Sequence, residues 1–444
     1  MSSRNRRTFR RFVGLALILG ILLGGCATPA VSPTEEPPSP GVEPTQAPSL
    51  GEGVKVVASD VEREEEPNVP ASDLAELAAG NNDFAFELYQ ALRGDEGNLF
   101  YSPYSISTAL AMAYAGARGN TAEQMSEVLN YTLSQDRLHP AMNALAQELR
   151  AQQSLTLTVA NSLWPQEGYP FLDTYLDLLA RNYGAGLHLV DYIDPQAREA
   201  ARLAINRWVE AETQGKIEEL ILEDMLSDLT RLVLANAIYF KADWEEPFRH
   251  GTNDDAFYLL DGTEVTVPMM SRRAGTPYVD DQGYQAVELP YKGGRMRMVV
   301  IVPAEGEFAE IETGLDNAFA QQVIESMVPS DLKLYLPKFS YDARLALKQT
   351  LIEMGMPDAF DEQLADFSGM DGTDRLLLSR VAHKAFVAVD EEGTEAAAAT
   401  GVVVEVESMP IQLRVDRPFI YFIYDTEQNL VLFVGRVMNP VASE

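Results

Sequence analysis

The stretch VAHKAFVAVDEEGTEAAAATG, residues 381–401, is the most informative part of the sequence. Alanine favours helix, but Gly393 and Gly401 leave room for barely two turns, which do not persist alone in water. As a strand, the segment would place Glu395 on one face and only small side chains on the other, at Thr394, Ala396, Ala398 and Thr400. Such a face suits a strand that enters between two existing strands without overpacking the core. An exposed alanine-rich loop is the alternative.

The sequence on both sides of this stretch predicts one large α+β domain, residues 72–444. Helical patterns dominate its first third, as in DLAELAAGNNDFAFELYQAL and SISTALAMAYAGA. Strand patterns dominate the rest, as in LVLANAIYF and LVLFVGRV, with a glycine hairpin inside VELPYKGGRMRMVVIVP. Helices beside large sheets with mostly hairpin connections define the α+β class.

Charge and composition restrict the function classes. The 444 residues are 46% hydrophobic, which supplies a large core and excludes a disordered chain. The formal net charge of −33 repels nucleic acid and anionic lipid, so we expect neither as a partner. A simpler interpretation of the charge is that the acid keeps an exported protein soluble. With a single cysteine, the fold cannot contain an internal disulfide.

The N-terminus is arranged as a bacterial lipoprotein signal. In residues 1–25, five arginines precede an apolar run that is too short to span a bilayer comfortably. The only cysteine, Cys26, follows Leu-Gly-Gly, which resembles a lipobox, so we expect lipidation there. Residues 26–71 are rich in Pro, Glu, Ser and Thr and predict a disordered, lipid-anchored tether. The protein would then lie on the extracellular or periplasmic face of the cell envelope, exported by the general or the twin-arginine route.

No catalytic or metal-binding constellation stands out. The four histidines are scattered, and the spacings HExxH, GxSxG, SxxK and the P-loop do not occur. His383 precedes an apolar strand, where a hydrogen-bonded core histidine is the simpler interpretation than a ligand. We therefore expect no metal, no cofactor and no enzymatic activity.

Six ordered blocks of residues 73–441 resemble the serpin family, which inhibits serine proteases. They are NLFYSPYSISTALAMAYAGARGNTAEQM, INRWVEAETQGKIEELI, LVLANAIYFKADWEEPF, LPKFSYDARLALKQTLIEMGM, VAHKAFVAVDEEGTEAAAATG and DRPFIYFIYD with LFVGRVMNP. The resemblance implies a monomeric fold with three β-sheets, eight or nine helices and an exposed reactive-centre loop. It also implies an irreversible suicide-substrate inhibitor, in which the cleaved loop inserts into the central sheet and traps the acyl-enzyme.

The resemblance assigns roles to three groups of residues. The hinge of the loop would be Gly393, Thr394, Glu395, Ala396, Ala397, Ala398, Ala399 and Thr400. A polar cluster beneath the centre of the main sheet, the shutter, would be Ser102, Ser105, Asn236 and His383. The breach, where the loop first enters, would contain an ion pair and a tryptophan, namely Lys338, Glu391 and Trp244. We expect Thr394 to be exposed before cleavage and buried beneath the sheet afterwards.

The reactive bond is predicted at Glu407-Ser408. Family spacing counted forward from Gly393 and backward from Pro418 reaches the same glutamate. The implied target is a glutamate-specific serine protease, while a register error of one would place Val406 at the bond and favour an elastase-like target. The competing interpretations are a non-inhibitory serpin acting as a chaperone, carrier or adhesion module, and an unrelated solute-binding lipoprotein or hydrolase.

Overall fold

The computed structural model describes residues 50–51, 53–152, 154–373, 375–394 and 409–442. Within them the helices, numbered in chain order from α1 to α10, are Ala71–Leu92, Pro103–Tyr114, Gly119–Val128, Gln135–Arg150, Asp173–Tyr183, Pro195–Glu212, Phe308–Thr313, Asn317–Ser326, Lys348–Met354 and Ser368–Asp371. A short 3-10 helix covers Asp358–Phe360. The helix count in the described residues therefore exceeds the predicted eight or nine, because three of these helices have seven residues or fewer.

The strands, numbered from β1 to β16, are Lys55–Val57, Leu99–Tyr101, Leu155–Pro165, Leu187–Leu189, Leu232–Asp243, Thr252–Tyr258, Glu264–Asp281, Tyr284–Pro290, Met296–Pro303, Val328–Pro337, Phe339–Ala346, Arg380–Val389, Gly393–Thr394, Ile411–Arg414, Phe419–Asp425 and Leu430–Val437. Seven of them form the main sheet in the order β1-β4-β3-β5-β13-β12-β11. The α+β class is confirmed.

The other strands form a second hydrogen-bonded sheet in the order β14-β10-β7-β8-β9-β15-β16-β2, with β6 paired to β7. The prediction of three sheets is therefore corrected to two hydrogen-bonded networks in the described residues. The cause is the length of β7, which has 18 residues. Its first part pairs with β6, its middle with β10 and its last part with β8, so one strand joins two of the expected sheets.

Helix α2 forms the centre of the core. All twelve of its residues are buried, and it contacts β3 and β5 of the main sheet and β16 of the second sheet. Pro103 opens the helix at the position where its missing N–H costs nothing. The Ser102 hydroxyl caps it by accepting the Ser105 N–H at 3.1 Å. This cap fixes two of the predicted shutter residues directly beneath the main sheet.

The tether was predicted to cover residues 26–71. Its final part, which contains one strand and one loop, belongs to the folded domain instead. Strand β1 pairs antiparallel with β4, which extends the main sheet at its edge. Beyond it, the Arg63 guanidinium donates to Asn143 Oδ1 at 2.8 and 2.9 Å, and the Glu64 N–H donates to the Arg181 carbonyl at 2.9 Å. Composition alone missed this packing because backbone pairing needs few apolar side chains.

The predicted signal and Cys26 lie outside the described residues. In the portion of the chain that the structure covers, no helix combines the length and the hydropathy that crossing a bilayer requires.

Candidate functional site

Strands β5 and β12 are neighbours at one end of the main sheet and separated at the other. They pair in parallel from Arg380 opposite Val233 to Phe386 opposite Tyr239. Beyond that point the pairing stops, and β13 lies between them, antiparallel to both. The sheet is thus closed in its lower part and parted in its upper part, and the first two residues of the predicted hinge occupy the gap.

A tight turn delivers the hinge into this gap. The Asp390 carboxylate accepts the backbone N–H of Glu392 at 2.9 Å and of Gly393 at 3.2 Å, and the Asp390 N–H donates to the Gly393 carbonyl at 2.9 Å. A Cβ on Gly393 would lie 2.2 Å from the Ala242 carbonyl oxygen, so only glycine fits. The turn and the glycine together allow β13 to enter between two strands.

The expectation that Thr394 is exposed in the uncleaved chain is wrong. Its side chain is 1% exposed, and its hydroxyl lies 2.9 Å from the hydroxyl of Tyr291. Where β5 and β12 part, their backbone N–H and C=O groups can no longer pair with each other. The hinge residues Gly393 and Thr394 supply hydrogen-bond partners for these groups. The first two residues of the predicted hinge are therefore already part of the main sheet.

The structure brings all four predicted shutter residues together, and each is fully buried. The Asn236 amide donates to the Ser105 hydroxyl at 2.6 Å and to the Ser105 carbonyl at 3.1 Å. On its other side the Asn236 carbonyl contacts His383 Nδ1, while His383 Nε2 accepts the Ser102 N–H at 3.3 Å. The cluster ties α2 to both β5 and β12, below the point where the sheet parts.

A fifth member, Asn161, was missed by the sequence analysis. It lies on β3 directly opposite Asn236, and its side-chain oxygen accepts a hydrogen bond from the Asn236 amide. His383 is the neighbour of Asn236 on the other side, so three polar residues form a row across three adjacent strands. The available signal was a single asparagine inside the predominantly apolar run TVANSLWP.

Burial lowers the pKa of His383 to about 3, because the imidazolium form would lose its hydration in the core. The ring is therefore neutral at physiological pH. With Nε2 accepting from a backbone N–H, Nδ1 carries the proton and donates to Asn236. The shutter is therefore an uncharged hydrogen-bond network in the described residues.

The breach residues also meet, as predicted. Lys338 Nζ lies 2.7 Å from a carboxylate oxygen of Glu391, and the Thr252 hydroxyl donates to the other oxygen. The Trp244 indole N–H donates to the Asp390 carbonyl at 3.0 Å, and its ring stacks on Tyr291 with centroids 4.4 Å apart. These contacts hold the entrance turn from both sides.

Opposing effects set the pKa of Glu391. Partial burial raises the pKa, but hydrogen bonds from Lys338 and Thr252 lower it by more, so the carboxylate titrates below its ordinary range. It is ionised at neutral pH and keeps its pair with the lysine. The pair is about one-third exposed on both sides, so its contribution to stability is small.

The remaining predicted site residues lie outside the described residues. They are Glu395, Ala396, Ala397, Ala398, Ala399, Thr400, Glu407, Ser408 and Cys26. The described chain resumes at Met409, which is 93% exposed, and enters β14, which pairs in parallel with β10. The segment that carries the predicted reactive bond thus connects the top of the main sheet to the edge of the second sheet. In the residues that are described, no group of three or more acidic, histidine or cysteine side chains is arranged to hold a metal ion.

A parted central sheet, a hinge between its strands and a polar cluster beneath it define the site. The profile of the family described as Serpin (serine protease inhibitor) matches residues 79–440. This chain belongs to the serpin family. The predicted serpin fold is thereby confirmed.

Serpin relatives cover nearly the whole chain. An uncharacterized serpin-like protein of Thermococcus kodakarensis is 39% identical over 97% of this chain and 99% of its own length. Leukocyte elastase inhibitor A of Mus musculus is 38% identical over 83% of this chain and 100% of its own. Among solved structures, the thermophilic serpin tengpin in its native state aligns with a TM-score of 0.76 at 28% identity, covering 86% of this chain and 97% of tengpin.

Human thyroxine-binding globulin, in complex with its thyroid-hormone ligand, aligns equally well. Its TM-score is 0.77 at 30% identity, over 83% of this chain and all of the globulin. The serpin fold is therefore shared by proteins whose names denote protease inhibition and by one whose name denotes the binding of a small molecule. Family membership alone does not choose between these functions.

Proposed function

We propose that this serpin is an irreversible, suicide-substrate inhibitor of serine-type proteases. The observation that supports it is β13, which lies between β5 and β12 in the uncleaved chain. A protein that only displays or carries a ligand has no need of a central sheet parted at the point where its loop begins. The residues that follow, Glu395 to Thr400, are mostly alanine, so they fit between strands without overpacking.

In the proposed reaction, the nucleophile of the protease attacks the carbonyl carbon of Glu407. The bond to the nitrogen of Ser408 breaks, the amine leaves with a proton from the protease, and an ester joins Glu407 to the enzyme. The freed strand then continues from Thr394 into the gap below. About 15 residues at ~3.3 Å each would carry the protease roughly 50 Å along the sheet.

The insertion has to be faster than hydrolysis of the ester. If on the order of ten ladder hydrogen bonds form at about 1 kcal/mol each, insertion is favourable by around 10 kcal/mol before burial is counted. A displacement of the catalytic groups by about 1 Å slows deacylation a hundredfold or more. The lower part of the sheet must open for this, so the shutter residues must exchange their hydrogen bonds across β5 and β12.

The proposed target is a serine protease that is glutamate-specific or elastase-like. A buried glutamate side chain needs a basic pocket to offset its desolvation, which makes trypsin-like enzymes poor targets. Support for the elastase-like alternative comes from the mouse and horse relatives, which are named leukocyte elastase inhibitors.

The test is a denaturing gel after incubation with a glutamate-specific protease or with elastase. We expect a covalent complex that survives boiling in detergent, and a released peptide whose new N-terminus is Ser408. A new N-terminus at Glu407 would move the target class to elastases. Cleavage without any stable complex would instead support the non-inhibitory alternative, a carrier, chaperone or adhesion module.

A substitution at Thr394 separates trapping from cleavage. Thr394→Arg places a guanidinium where the native side chain is 1% exposed, so we expect the hinge to be expelled from the sheet. The variant should be cut at the same bond but release active protease. Glu392→Arg is the matched control, because position 392 lies on the half-buried turn outside the sheet and should keep most of the inhibition.

We also propose that Cys26 carries the lipid anchor that holds the protein on the extracellular or periplasmic face of the cell envelope. The supporting observation is the position of the only cysteine, directly behind the apolar run of the signal. Cys26→Ser should release a soluble protein that still inhibits. Membrane association that persists in this variant would refute the anchor without affecting the inhibitor proposal.

A further inference from the structure

A surface cavity of about 290 Å³ lies at the lower end of the main sheet, where β5 and β12 begin. Its lining contains four basic side chains. Arg231 immediately precedes β5, and Arg380 is the first residue of β12. Lys348 is the first residue of α9, and Arg375 belongs to the chain that leads from α10 to β12. The cavity and the hinge lie at opposite ends of this strand pair, so the cavity is separate from the site described above.

Backbone carbonyls hold two of these side chains in place. Arg380 Nε donates to the Met225 carbonyl at 2.7 Å, and Nη1 of the same side chain donates to the Ser379 carbonyl at 3.1 Å. Arg231 Nη1 donates to the Asp228 carbonyl at 2.9 Å. Within the described chain, the Nη2 group of each arginine has no hydrogen-bond partner. Both guanidiniums are therefore positioned by the protein and still have N–H groups to offer to a ligand.

The four cations lack carboxylate partners. None of them forms an ion pair with an acidic side chain of the described residues, and the one carboxylate in the lining, Glu362, is exposed. Well-buried cations elsewhere in the chain are paired: Arg202 Nη2 lies 2.7 Å from the Glu199 carboxylate. Lys384 Nζ likewise lies 2.6 Å from the Asp342 carboxylate. In a chain with 67 acidic and 34 basic residues, a cavity with four cations and one carboxylate reverses the average composition.

The positive charges around the cavity repel one another. Burial lowers the pKa of Lys348, and repulsion from Arg380 lowers it further. Aromatic rings offset a part of this cost, since Lys348 Nζ lies 5.6 Å from the centre of the Phe360 ring. The Arg375 guanidinium lies at the same distance from the centre of the Tyr169 ring. These contacts leave the charges in place, so an anion in the cavity would relieve the repulsion.

We propose that this cavity binds a diphosphate group, either as inorganic pyrophosphate or as part of a nucleotide. Guanidiniums match phosphate oxygens with paired, charge-assisted hydrogen bonds, and the two phosphates can meet Arg231, Arg380 and the Lys348 ammonium together. The net charge of −33 does not prevent this binding, because salt screens charges beyond about 8 Å at physiological ionic strength. The cations that line the cavity then decide the local potential. Occupancy of this site does not depend on the proposed inhibitory function.

Calorimetric titration of the full chain tests the proposal, in about 0.1 M salt and without divalent cations, which would bind the probe. The probes are pyrophosphate, ADP, inorganic phosphate and citrate, a multivalent anion without phosphorus. We expect pyrophosphate to bind with a stoichiometry of one, and phosphate and citrate to bind at least tenfold more weakly. ADP that binds as tightly as pyrophosphate would identify a nucleotide as the source of the diphosphate. Much weaker binding of ADP would identify the inorganic anion.

Removal of one cation should weaken the binding. Lys348→Gln and Arg375→Gln should each weaken pyrophosphate binding roughly tenfold, the loss expected for one charge-assisted hydrogen bond. Neither variant removes a fully buried side chain, so both should fold as wild type does. Arg93→Gln is the control, because Arg93 is exposed and does not line the cavity, and this variant should bind pyrophosphate as wild type does.

A carboxylate added to the cavity supplies the second arm. Leu229 lines the cavity and is 70% exposed, so Leu229→Glu adds a negative charge without removing a buried side chain. We expect pyrophosphate binding to weaken at least tenfold while thermal unfolding stays close to wild type. Leu260→Glu, at a similarly exposed leucine between β6 and β7, is the matched control and should bind normally. The proposal is overturned if wild type does not bind pyrophosphate, if citrate or phosphate binds equally well, or if the three cavity variants bind pyrophosphate as wild type does.

Discussion

The lower and upper parts of the same strand pair, β5 and β12, differ in what lies between them. In the lower part the two strands are in direct register, and the buried side chains of Asn236 and His383 extend a polar row that begins at the partly buried Asn161 of β3. In the upper part they accept Gly393 and Thr394, and the contacts around the entrance are aromatic rings and an ion pair that is about one-third exposed. The same pair of strands is therefore closed in its lower part and open in its upper part.

This difference indicates which contacts would resist further opening of the main sheet. The upper part is open already, so its contacts only guide the hinge. In the proposed mechanism, further insertion has to break the register between β5 and β12 and the hydrogen bonds among the four buried shutter residues. Buried, fully satisfied networks are costly to disrupt, whereas partly exposed pairs are not. Substitutions in the lower part should therefore have larger effects than those in the upper part.

The largest effect is expected from acid acting on His383. Its pKa is about 3 in the folded chain against an ordinary 6.5, so the folded state disfavours the proton that the unfolded state accepts. The stability from this group is complete above pH 6.5 and is lost as the pH falls toward 3, by on the order of 5 kcal/mol. Urea unfolding across this range should show a shallower decline in His383→Gln. Equal slopes in both proteins would remove His383 as the cause.

The next effect concerns the centre of the polar row. Asn236→Ala removes the donor to Ser105 and leaves the oxygen of Asn161 and the ring of His383 without their partner. We expect a loss of about 3 kcal/mol in the free energy of unfolding. Asn253→Ala, on the exposed strand β6, is the control and should change it by less than about 0.5 kcal/mol. Similar losses in the two variants would contradict the role of the row.

A smaller effect is expected at the hinge. In Gly393→Ala the new methyl group would meet the Ala242 carbonyl at 2.2 Å and Asp243 Cα at 2.6 Å. We expect β13 to leave the sheet at a cost of about 1–2 kcal/mol, with faster hydrogen exchange at the Thr394 amide. Gly275→Ala, on β7, serves as the control because nothing lies within 4 Å of the place that its methyl group would take. Unchanged exchange at Thr394 would show that the strand tolerates the methyl group.

The smallest effect belongs to the breach ion pair. Lys338→Met should cost about 1 kcal/mol or less at pH 7, because both partners are partly exposed. The pKa of Glu391 is lowered in the folded state, so its contribution is present above the ordinary value of 4.5 and is lost as the pH falls through the lower, folded value. The stability difference between wild type and variant should vanish below that range. Lys292→Met, at a more exposed pair, is the control.

The sequence was sufficient for the fold class and for which residues meet at the shutter and the breach. Ser102, Asn236, His383 and Trp244 stand in blocks whose order and composition resemble the serpin family throughout, so their positions transferred with the fold. Asn161 could not be found in this way. Its role depends on the pairing register of β3 with β5, and register is not visible in an alternating apolar strand.

Two expectations failed for one reason. Thr394 was expected outside the sheet because the resemblance places it on the exposed loop, and residues up to 71 were expected to be a free tether because of their composition. In the folded chain, each segment supplies backbone hydrogen bonds to a strand that lacks a neighbour, β5 in the first case and β4 in the second. The need of an unpaired strand for backbone hydrogen-bond partners overrides the local propensity of the segment that supplies them. The sequence pattern of that segment alone does not show this need.

Strand β1 has a consequence for self-association. An uncovered sheet border invites pairing with a neighbouring molecule, which is a common route to aggregation. Lys55–Val57 occupies the border at β4 with only three residues, and its exposed lysine disfavours the addition of a further strand from another molecule. The chain thus fills one border of the main sheet with a short strand of its own, while β13 lies at the middle of the same sheet. At the β4 border, the residues that complete the sheet are also the ones that disfavour its extension by a second molecule.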